Sequence, residues 1–546
     1  MYCITIDQIK NESMKTNVKI LSFFTILVLL LAISISCEKD VKLTGIELDQ
    51  VTANVMVGAT LNLAVIFEPM DATNKNIIWE STNTGTATVA DGVVSGVALG
   101  TTTITATSEE NPALQAACEI VVIPSNGQQI TVSGDITSDT KWYANARYFL
   151  SGFVYVKNNA TLTIEPGTII KGVSGTKGAL IIERGSKIMA QGTESKPIVF
   201  TSDKPKGQRG YGDWGGLVLC GKAPTNKHDS GAGVGIAEGG IGSNYGGADA
   251  ADNSGILQYV RIEFPGIPLT ATANSEINGL TLYSVGSGTT IDHIQVSYSG
   301  DDSFEWFGGT VNAKYLVALK GWDDDFDTDN GYSGKVQFFV SLRDPASADQ
   351  SQSNGFESDN DADGSTLTPV TAPVFANGSV FGPLATSSTT INSLYRNAMQ
   401  LRRGTTLSVY NTVFAGWPSG LYIDGQKGDS PAQASANVLQ IENCVMSGMT
   451  NNYVTTYLAD AEAWYTNASR NNQVLATNDL LQVTNPFNLT APNFLPVTGS
   501  SLLGGAAFTN TKLTSSFFTQ VSYRGAFGTT NWTANWCNFD PQNADY

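Results

Sequence analysis

One acidic phrase occurs three times in the middle of this 546-residue chain, and its spacing limits the possible folds. Phe304, Phe326 and Phe356 each stand among acids and glycines, in SGDDSFEWFGG, GWDDDFDTDNG and SQSNGFESDND. The first step is 22 residues, and the second is 30, which is 22 plus the eight-residue insertion ASADQSQS. A repeat of this length is typical of a solenoid of parallel strands, in which each coil buries its apolar face against the next.

The same register continues toward the C-terminus in two further phrases. After a longer loop, Met399 in NAMQLRRG falls on Phe356. One more step of 22 residues carries Met399 to Leu421 in SGLYIDG. We therefore predict that one apolar stack runs through the interior of successive coils: Phe304, Phe326, Phe356, Met399 and Leu421.

An earlier pair of runs indicates further coils nearer the N-terminus. ATLTIEPGTIIKG and ALIIERGSKIMAQG superpose at an offset of 18 residues, which places Leu162 on Leu180. Their inward Leu, Ile and Val positions fit the same kind of repeat. We expect these runs to be successive coils of a solenoid that covers residues 130–546.

The repeat also aligns polar side chains into three ladders. These are Asp302–Asp324–Asn354–Asn397, Glu305–Asp327–Glu357–Gln400 and Asp329–Asp359–Arg402–Asp424. Neighbouring parallel strands lie ~4.8 Å apart. Two like charges at that separation repel by roughly 3 kcal/mol at an effective dielectric of 20. The repulsion of several such pairs must be offset by other interactions.

Four kinds of compensation remain open on the sequence alone. They are bound Ca²⁺, the cations Arg402 and Arg403, protonation of some acids, and plain hydration of an exposed corner. Ca²⁺ prefers six to eight oxygen ligands, and any site here is assembled between coils because no EF-hand loop is present. The candidate Ca²⁺ ligands are Asp302, Glu305, Asp324, Asp327, Asp329, Glu357 and Asp359.

The N-terminus has the features of a secretory signal. Lys15 and Lys19 precede an apolar run, Ile20 to Ile35, and the run ends in SISC at Cys37. This segment resembles lipoprotein signal peptides, which implies a signal over residues 1–36, a lipid-anchored N-terminus over 37–40 and lipidation of Cys37. Residues 1–13 precede a complete signal that starts at Met14, so we expect them to be a start-site artefact. An uncleaved membrane anchor is the alternative.

Residues 41–123 form short alternating strands separated by turn signals. The run IFEPMDATNKNIIWESTNTGTATVADGVVSGVALGTTTITATS, residues 66–108, resembles a group 2 bacterial immunoglobulin-like domain. That resemblance implies a β-sandwich that serves as a spacer or an adhesive unit. Residues 124–129, PSNGQQ, are expected to be the linker to the solenoid.

The solenoid resembles the pectin-lyase-like right-handed parallel β-helix proteins, and more narrowly a set of secreted or lipid-anchored bacterial proteins. The resemblance rests on GDWGGLVLCGKAPTN, the repeated acidic phrases, NAMQLRRGT and YRGAFGTTNWTANW. It implies an all-β chain, an Ig-like sandwich followed by a right-handed parallel β-helix, and brings no assigned reaction. It also implies an outer membrane lipoprotein of the cell envelope that is exposed at the surface.

Composition excludes several function classes. The net charge is −18, so we expect no nucleic-acid partner. Only two histidines are present, which disfavours a His-ligated zinc site. Beyond Cys37 the cysteines are scattered, and we expect Cys118 and Cys220 to be core residues. The oligomeric state stays open.

Three functions remain, and binding of a glycan or another extracellular ligand is the leading one. Its candidate contacts are Trp306, Trp322, Arg402 and Arg403. The alternative is a glycoside hydrolase or polysaccharide lyase. A hydrolase needs two carboxylates about 5–9.5 Å apart, which Asp302 and Asp324 on adjacent coils satisfy, while Arg402 is the candidate base of a lyase. A structural surface protein is the third possibility.

Overall fold

The computed structural model describes residues 39–267 and 277–546. The predicted signal and its lipidation site, Cys37, lie outside these residues. The chain divides between Ser125 and Asn126 into two units. In the described part of the chain, no helix has the length and apolar character needed to cross a membrane.

The first unit is a β-sandwich. Its strands are β1 Gly45–Leu48, β2 Thr52–Met56, β3 Thr60–Asn62, β4 Val65–Glu68, β5 Ile77–Ser81, β6 Ala87–Ala90, β7 Val93–Gly96, β8 Gly100–Ser108 and β9 Gln115–Ile123. One sheet has the order β2-β9-β8-β5, another has the order β3-β7-β6, and β1 pairs with β4. Alternate residues of β8 and β9, such as Ile104, Cys118 and Ile120, are fully buried between the layers. The Ig-like prediction is confirmed, with Trp79 partly buried against this core.

The second unit is a right-handed parallel β-helix, which confirms the predicted solenoid. Its strands are β10 Gln128–Ile136, β11 Thr140–Trp142, β12 Ala146–Val156, β13 Thr161–Ile164, β14 Ile169–Gly172, β15 Ala179–Ile182, β16 Lys187–Gln191, β17 Ile198–Ser202, β18 Gly216–Cys220, β19 Gly235–Ile236, β20 Asn244–Tyr245, β21 Gly255–Glu263, β22 Leu280–Tyr283, β23 Thr290–Ser297, β24 Phe304–Phe307, β25 Asn312–Leu319, β26 Phe326–Asp329, β27 Lys335–Leu342, β28 Phe356–Ser358, β29 Val374–Phe381, β30 Asn397–Leu401, β31 Ser408–Tyr410, β32 Val413–Ala415, β33 Ser419–Ile423, β34 Gln440–Glu442, β35 Val445–Ser447, β36 Asn451–Val454, β37 Gln473–Leu475, β38 Val483–Asn485 and β39 Asn493–Pro496. Of these, β19 pairs with β20 and β38 with β39 in separate antiparallel sheets outside the parallel sheet of the β-helix. Strand β10 begins inside the predicted linker, residues 124–129.

Each coil contributes one strand segment to each of three faces. Face 1 stacks the second halves of β10 and β12 and then β15, β18, β22, β24, β26, β28, β30, β33 and β36. The long strands β21, β23, β25, β27 and β29 bend once, so that their first halves lie in face 2 and their second halves in face 3. Short helices, α1 Ser430–Ser435 and α2 Ala461–Tyr465, follow near the C-terminal coils, with 3₁₀ turns at Ala468–Arg470, Asn478–Leu481, Ser501–Leu503, Thr511–Leu513 and Pro541–Asn543.

From β21 onward, the corner between faces 2 and 3 contains one left-handed residue per coil. The residues at this corner are Tyr259, His293, Tyr315, Phe338, Asn377, Asn411, Asn443 and Asn471, all with positive φ. Asn and His accept this conformation more readily than most residues. The aromatic members also stack, with ring centroids 4.3 Å apart from Tyr259 to His293 and from His293 to Tyr315. Stacking of successive coils therefore offsets the local backbone cost.

The predicted interior stack is confirmed. In face 1, Phe304 pairs with Phe326, which pairs with Phe356, and the register continues to Met399 and Leu421. All five side chains are fully buried. The eight-residue insertion leaves this register intact because it lies in a loop between coils.

The predicted offset of 18 residues is wrong. Leu162 pairs with Ile188 in face 2, and Leu180 pairs with Val154 in face 1, so both true offsets are 26 residues. The two similar runs lie on different faces of the triangle, because each contains a short apolar strand, a Pro-Gly or Arg-Gly turn and a second strand. Their likeness reflects the shared corner geometry and not successive coils.

The surroundings of face 1 determine which part of it reaches the surface. The chain beyond Leu481 packs on the outside of face 3, where Phe494, Phe527 and Trp536 cover Val340 and its apolar neighbours. The segment with β19 and β20 packs Ala237, Ile241 and Tyr245 on the outer side of the N-terminal coils of face 1. This cover extends as far as Phe307 of β24. In the described residues no such apolar cluster covers the outer side of β26, β28 and β30, which carry the remaining coils of the acidic ladders.

Candidate functional site

The acidic ladders lie on face 1 in the predicted register. Glu305 pairs with Asp327, Asp327 with Glu357, and Glu357 with Gln400. These side chains point outward because they alternate with the inward phenylalanines. Asp302, Glu305, Asp324 and Asp359 are nevertheless buried, and Asp327, Asp329 and Glu357 are half-buried. This burial disfavours a freely hydrated corner.

The first ladder has a structural role that the sequence analysis missed. The Asp302 carboxylate accepts a hydrogen bond from the backbone N–H of Asp324 at 2.8 Å, and Asp324 accepts one from the N–H of Asn354. The Asn354 side-chain oxygen accepts from the Asn397 N–H at 3.1 Å. Each side chain thus satisfies a main-chain donor of the next coil. The sequence feature that could have indicated this role is the Asp or Asn that stands two residues before each of the first four inward apolar residues of the stack.

Two arginines neutralise the C-terminal end of the ladders. Arg402 forms an ion pair with Glu357, and its Nε lies 2.7 Å from Asp359. Arg403 pairs with the other oxygen of Asp359. The predicted compensation by arginine is therefore present, and in the described part of the chain the ion pairs between arginine and these ladders lie at this end.

The N-terminal end brings three carboxylates together without such a partner. Asp302, Glu305 and Asp327, called the carboxylate cluster below, each place one oxygen within 4.8 Å of the others. In residues 39–267 and 277–546, no Lys or Arg forms an ion pair with any of the three. Asn278 donates its side-chain N–H to Glu305. The Oδ1 atom of Asp327 is buried, and none of the described residues supplies it with a hydrogen-bond partner.

These features fit a divalent cation. A buried polar atom without a partner costs free energy, which a bound cation, a water molecule or a proton on the carboxyl group would relieve. Carboxylate oxygens are the ligands that Ca²⁺ prefers, and Asp302 also belongs to a second group with Asp301 and Asp323. Of the other predicted ligands, Asp324 and Asp329 adjoin the cluster along the ladders, whereas Glu357 and Asp359 are held by the arginines.

Burial and mutual repulsion favour the protonated form of these acids when no cation is bound. Burial, followed by the charge of Asp324, raises the pKa of Asp302 well above its usual value. The pKa values of Glu305 and Asp327 are also well above normal, through burial and then neighbouring carboxylates. Burial, followed by the charge of Asp359, raises the pKa of Asp329 to about 8.

These shifts predict how stability depends on pH. The pKa values are raised on folding, so the native state binds more protons than the unfolded state between pH ~4 and pH ~8. Without metal, the melting temperature should therefore fall as the pH rises through this range. With excess Ca²⁺ the fall should largely vanish, because Ca²⁺ at a hundredfold excess over Kd stabilises by about 2.7 kcal/mol and competes with protons. Thermal melts at pH 5 to 8, with chelator and with Ca²⁺, measure this dependence. Melting temperatures that change with pH in the same way under both conditions would contradict the prediction.

The two tryptophans proposed as ligand contacts differ in position. Trp306 is fully buried and stacks on Phe304 and Tyr332 inside the helix, so it forms core and presents no face to a ligand. Trp322 is 37% exposed and stacks on Tyr211 with ring centroids 4.8 Å apart. Since Trp322 directly precedes Asp323 and Asp324, it supplies an exposed aromatic surface beside the acids.

The candidate catalytic groups are engaged in other contacts. Asp302 and Asp324 both accept backbone hydrogen bonds from the next coil. Arg402 is held between two carboxylates, which raise its pKa further and so keep it protonated. A guanidinium in that state is a poor general base. These contacts disfavour the hydrolase and lyase assignments of these particular residues.

A buried ion pair positions the loop that carries Trp322 and the acids, and the sequence analysis missed it. Arg343 and Asp325 are both buried, with Arg343 Nε 3.2 Å from Asp325 Oδ1. Arg343 also donates to the backbone carbonyls of Gly321 and Asn354, both at 2.6 Å, and to that of Asp323. One guanidinium thus links two successive turns of face 1.

Comparisons with known proteins agree with both units. The profile of the family described as "Pectate-lyase like beta helix domain" matches residues 134–484. The profile of the "Bacterial Ig-like domain (group 2)" matches residues 42–118. An uncharacterized protein of Clostridium acetobutylicum is 31% identical over 80 residues, which are 14% of this chain and 8% of that protein. The chain thus covers only a small part of that relative's length.

Proposed function

Because this chain belongs to the family of pectate-lyase-like β-helix domains, we propose that it binds an extracellular glycan on the outer side of face 1, with Ca²⁺ held by the carboxylate cluster. The observation that supports this best is the grouping of three carboxylate oxygens within 4.8 Å of one another, together with a buried Asp327 oxygen to which no described residue supplies a hydrogen bond. Asp302, Glu305 and Asp327 would hold the cation. A bound Ca²⁺ would offer its remaining coordination positions to oxygens of the ligand.

Trp322 supplies the second element of the proposed binding surface. Its exposed ring lies on Tyr211, so its orientation is fixed before any ligand arrives. A rigid aromatic side chain offers a large contact area at low entropic cost. An apolar sugar-ring face on Trp322 and sugar oxygens at the adjacent cation would together fix a glycan on this surface.

Binding to immobilised polysaccharides, with and without Ca²⁺, tests the proposal. We expect binding to require Ca²⁺ and to weaken at least about tenfold, ~1.4 kcal/mol, in Asp327→Asn and in Trp322→Ala. Asp363→Asn, which removes one exposed acid of a neighbouring loop, is the matched control and should bind normally. Binding that ignores both Ca²⁺ and the two site variants would refute the proposed site.

The same polysaccharides separate binding from the enzymatic alternative. A binding protein leaves the reducing-end count and the absorbance of unsaturated products unchanged over long incubation. Product that forms with the wild type and disappears in Asp302→Asn or Asp324→Asn would instead support a hydrolase or lyase. No binding and no turnover on any polysaccharide would leave the third class, a structural surface protein.

We also propose that the protein is anchored in the outer membrane through lipid on Cys37. The support is the basic and apolar segment before SISC. Cys37→Ser should move the protein from the membrane fraction to the soluble fraction, or leave the unprocessed precursor. Intact mass and fractionation measure this, and Cys118→Ser, which changes a buried core cysteine, is the control. An unchanged mass together with unchanged membrane partition would reject lipidation.

A further inference from the structure

A second polar site lies on the N-terminal side of the carboxylate cluster and has the opposite charge. It is an open cavity of about 720 Å³ lined by Arg184, Lys222, Gly246, Gly247, Ala248 and Asp249. Arg184 follows β15, and Lys222 follows β18 in the next coil of face 1. The glycines follow β20, so this cavity forms where the covering segment returns to the helix.

The cavity brings two cations together in a chain with a net charge of −18. Some basic side chains of the described residues form ion pairs with acids, as Lys204 does with Asp213. Within the described ranges, neither Arg184 nor Lys222 has a carboxylate oxygen within 4 Å. The one acid at the rim, Asp249, accepts a hydrogen bond from the N–H of Ala251 and so faces its own turn.

The cavity wall is built by close backbone approach. Arg184 Nη1 donates to the carbonyl of Gly246 at 2.9 Å, which fixes the guanidinium against the loop. A Cβ at Gly246 would lie 2.4 Å from the carbonyl oxygen of Gly233, and one at Gly247 would lie 2.8 Å from that of Lys222. Both glycines have positive φ, so side chains are excluded on two grounds. The loop is therefore held at a set distance from the cations.

We propose that this cavity binds an oxyanion, the carboxylate, sulfate or phosphate group of an extracellular ligand. A guanidinium presents two parallel N–H donors to such a group, and an ammonium adds a point charge. The neighbouring acid, Glu183, is engaged, since it accepts a hydrogen bond from Ser243 at 3.2 Å. The site is independent of the proposed Ca²⁺ cluster.

The two sites share face 1 at a defined spacing. Ile182, two residues before Arg184, lies four strand steps from Thr328, which stands between Asp327 and Asp329. At ~4.8 Å per step this is about 19 Å along the helix axis. An extended glycan that carries an acidic group could therefore contact the cation site and the oxyanion site together.

Calorimetric titration of the full mature protein with sodium sulfate, in chelator, tests the oxyanion site alone. We expect saturable binding that weakens at least tenfold in the double variant Arg184→Gln and Lys222→Gln, and partly in Lys222→Gln. Lys187→Gln, which removes a half-buried lysine of β16, should bind as the wild type does. No saturable binding by the wild type, or equal binding by a folded double variant, would overturn the proposal.

A second titration identifies the source of the anion. A sulfated polysaccharide and a uronic-acid polysaccharide are compared with a neutral one, each in chelator. Preference for a charged polysaccharide that the double variant loses assigns the site to a glycan-borne group. Sulfate binding without any such preference assigns it to a free inorganic anion. Chelator removes Ca²⁺ from the carboxylate cluster and leaves the oxyanion site unchanged. A wrong assignment of the Ca²⁺ site and a wrong assignment of the oxyanion site therefore give different results.

Discussion

Phe326→Ala should lower the free energy of unfolding of the β-helix by about 3–5 kcal/mol, the usual cost of truncating a buried aromatic side chain. The Phe326 ring is fully buried, with centroids 5.8 Å from Phe304 and 5.3 Å from Phe356 on the adjacent coils. Phe339 packs on it at 5.1 Å from inside. The main-chain ladders hold the coils at a fixed spacing, so these neighbours cannot move in to fill the cavity.

Denaturant unfolding followed by tryptophan fluorescence measures this loss. Eight of the nine tryptophans lie beyond residue 126, so the signal reports mainly on the β-helix. Tyr457→Ala, an aromatic truncation at a side chain that is 40% exposed, is the control and should change stability by about 0.5 kcal/mol or less. Equal midpoints for Phe326→Ala and the wild type would mean that this ring is not part of the core.

The 22-residue register could be predicted because insertions in this fold fall in loops. The interior positions must stay in line for the coils to share main-chain hydrogen bonds, whereas a loop tolerates extra residues at little cost. The insertion before Phe356 is such a case. The inference that similar runs are successive coils failed for Leu162 and Leu180. Strand–turn–strand units on different faces have the same apolar pattern. Pattern alone does not say which face of the triangle a strand occupies.

The orientation of Trp306 could have been predicted from the sequence. It stands two residues after Phe304 in one strand, and alternate strand residues share a face. Placing Phe304 inside therefore also places Trp306 inside, where the structure has it. Glu305, between them, points outward by the same argument. The proposal of Trp306 as a ligand contact followed from its acidic neighbours and overlooked this alternation.

The contacts of the acids could not be predicted in the same way. The register brings Asp302 and Asp324 to one ladder, but their bonds to backbone N–H groups depend on the path of the loops. The division into an arginine-neutralised end and an unpaired end depends on where Arg402 points. Rotamers of long side chains are set by three-dimensional packing, which a single sequence does not encode locally.

Arg343→Met should destabilise the β-helix by about 3–5 kcal/mol, because it leaves Asp325 buried without its ion-pair partner. Burial raises the pKa of Asp325 to about 7 even with the arginine present, so the variant should take up a proton there at neutral pH. Arg396→Met, which removes an arginine with mostly exposed contacts, is the control and should cost far less. Denaturant unfolding of both variants measures the two changes in stability. Equal losses of unfolding free energy in Arg343→Met and Arg396→Met would contradict a special role for Arg343.

A double variant separates the two roles of Arg343. Asp325→Asn in the Arg343→Met background removes the unpaired charge and should restore part of the stability. It cannot restore the bonds to the carbonyls of Gly321, Asp323 and Asn354, which Arg343 alone supplies. Ca²⁺ affinity, measured by calorimetry, should therefore be weaker in the double variant than in the wild type, because the loop between Trp322 and Asp324 lacks the main-chain contacts that Arg343 makes. Full recovery of Ca²⁺ affinity with stability would show that Arg343 serves the fold and not the site.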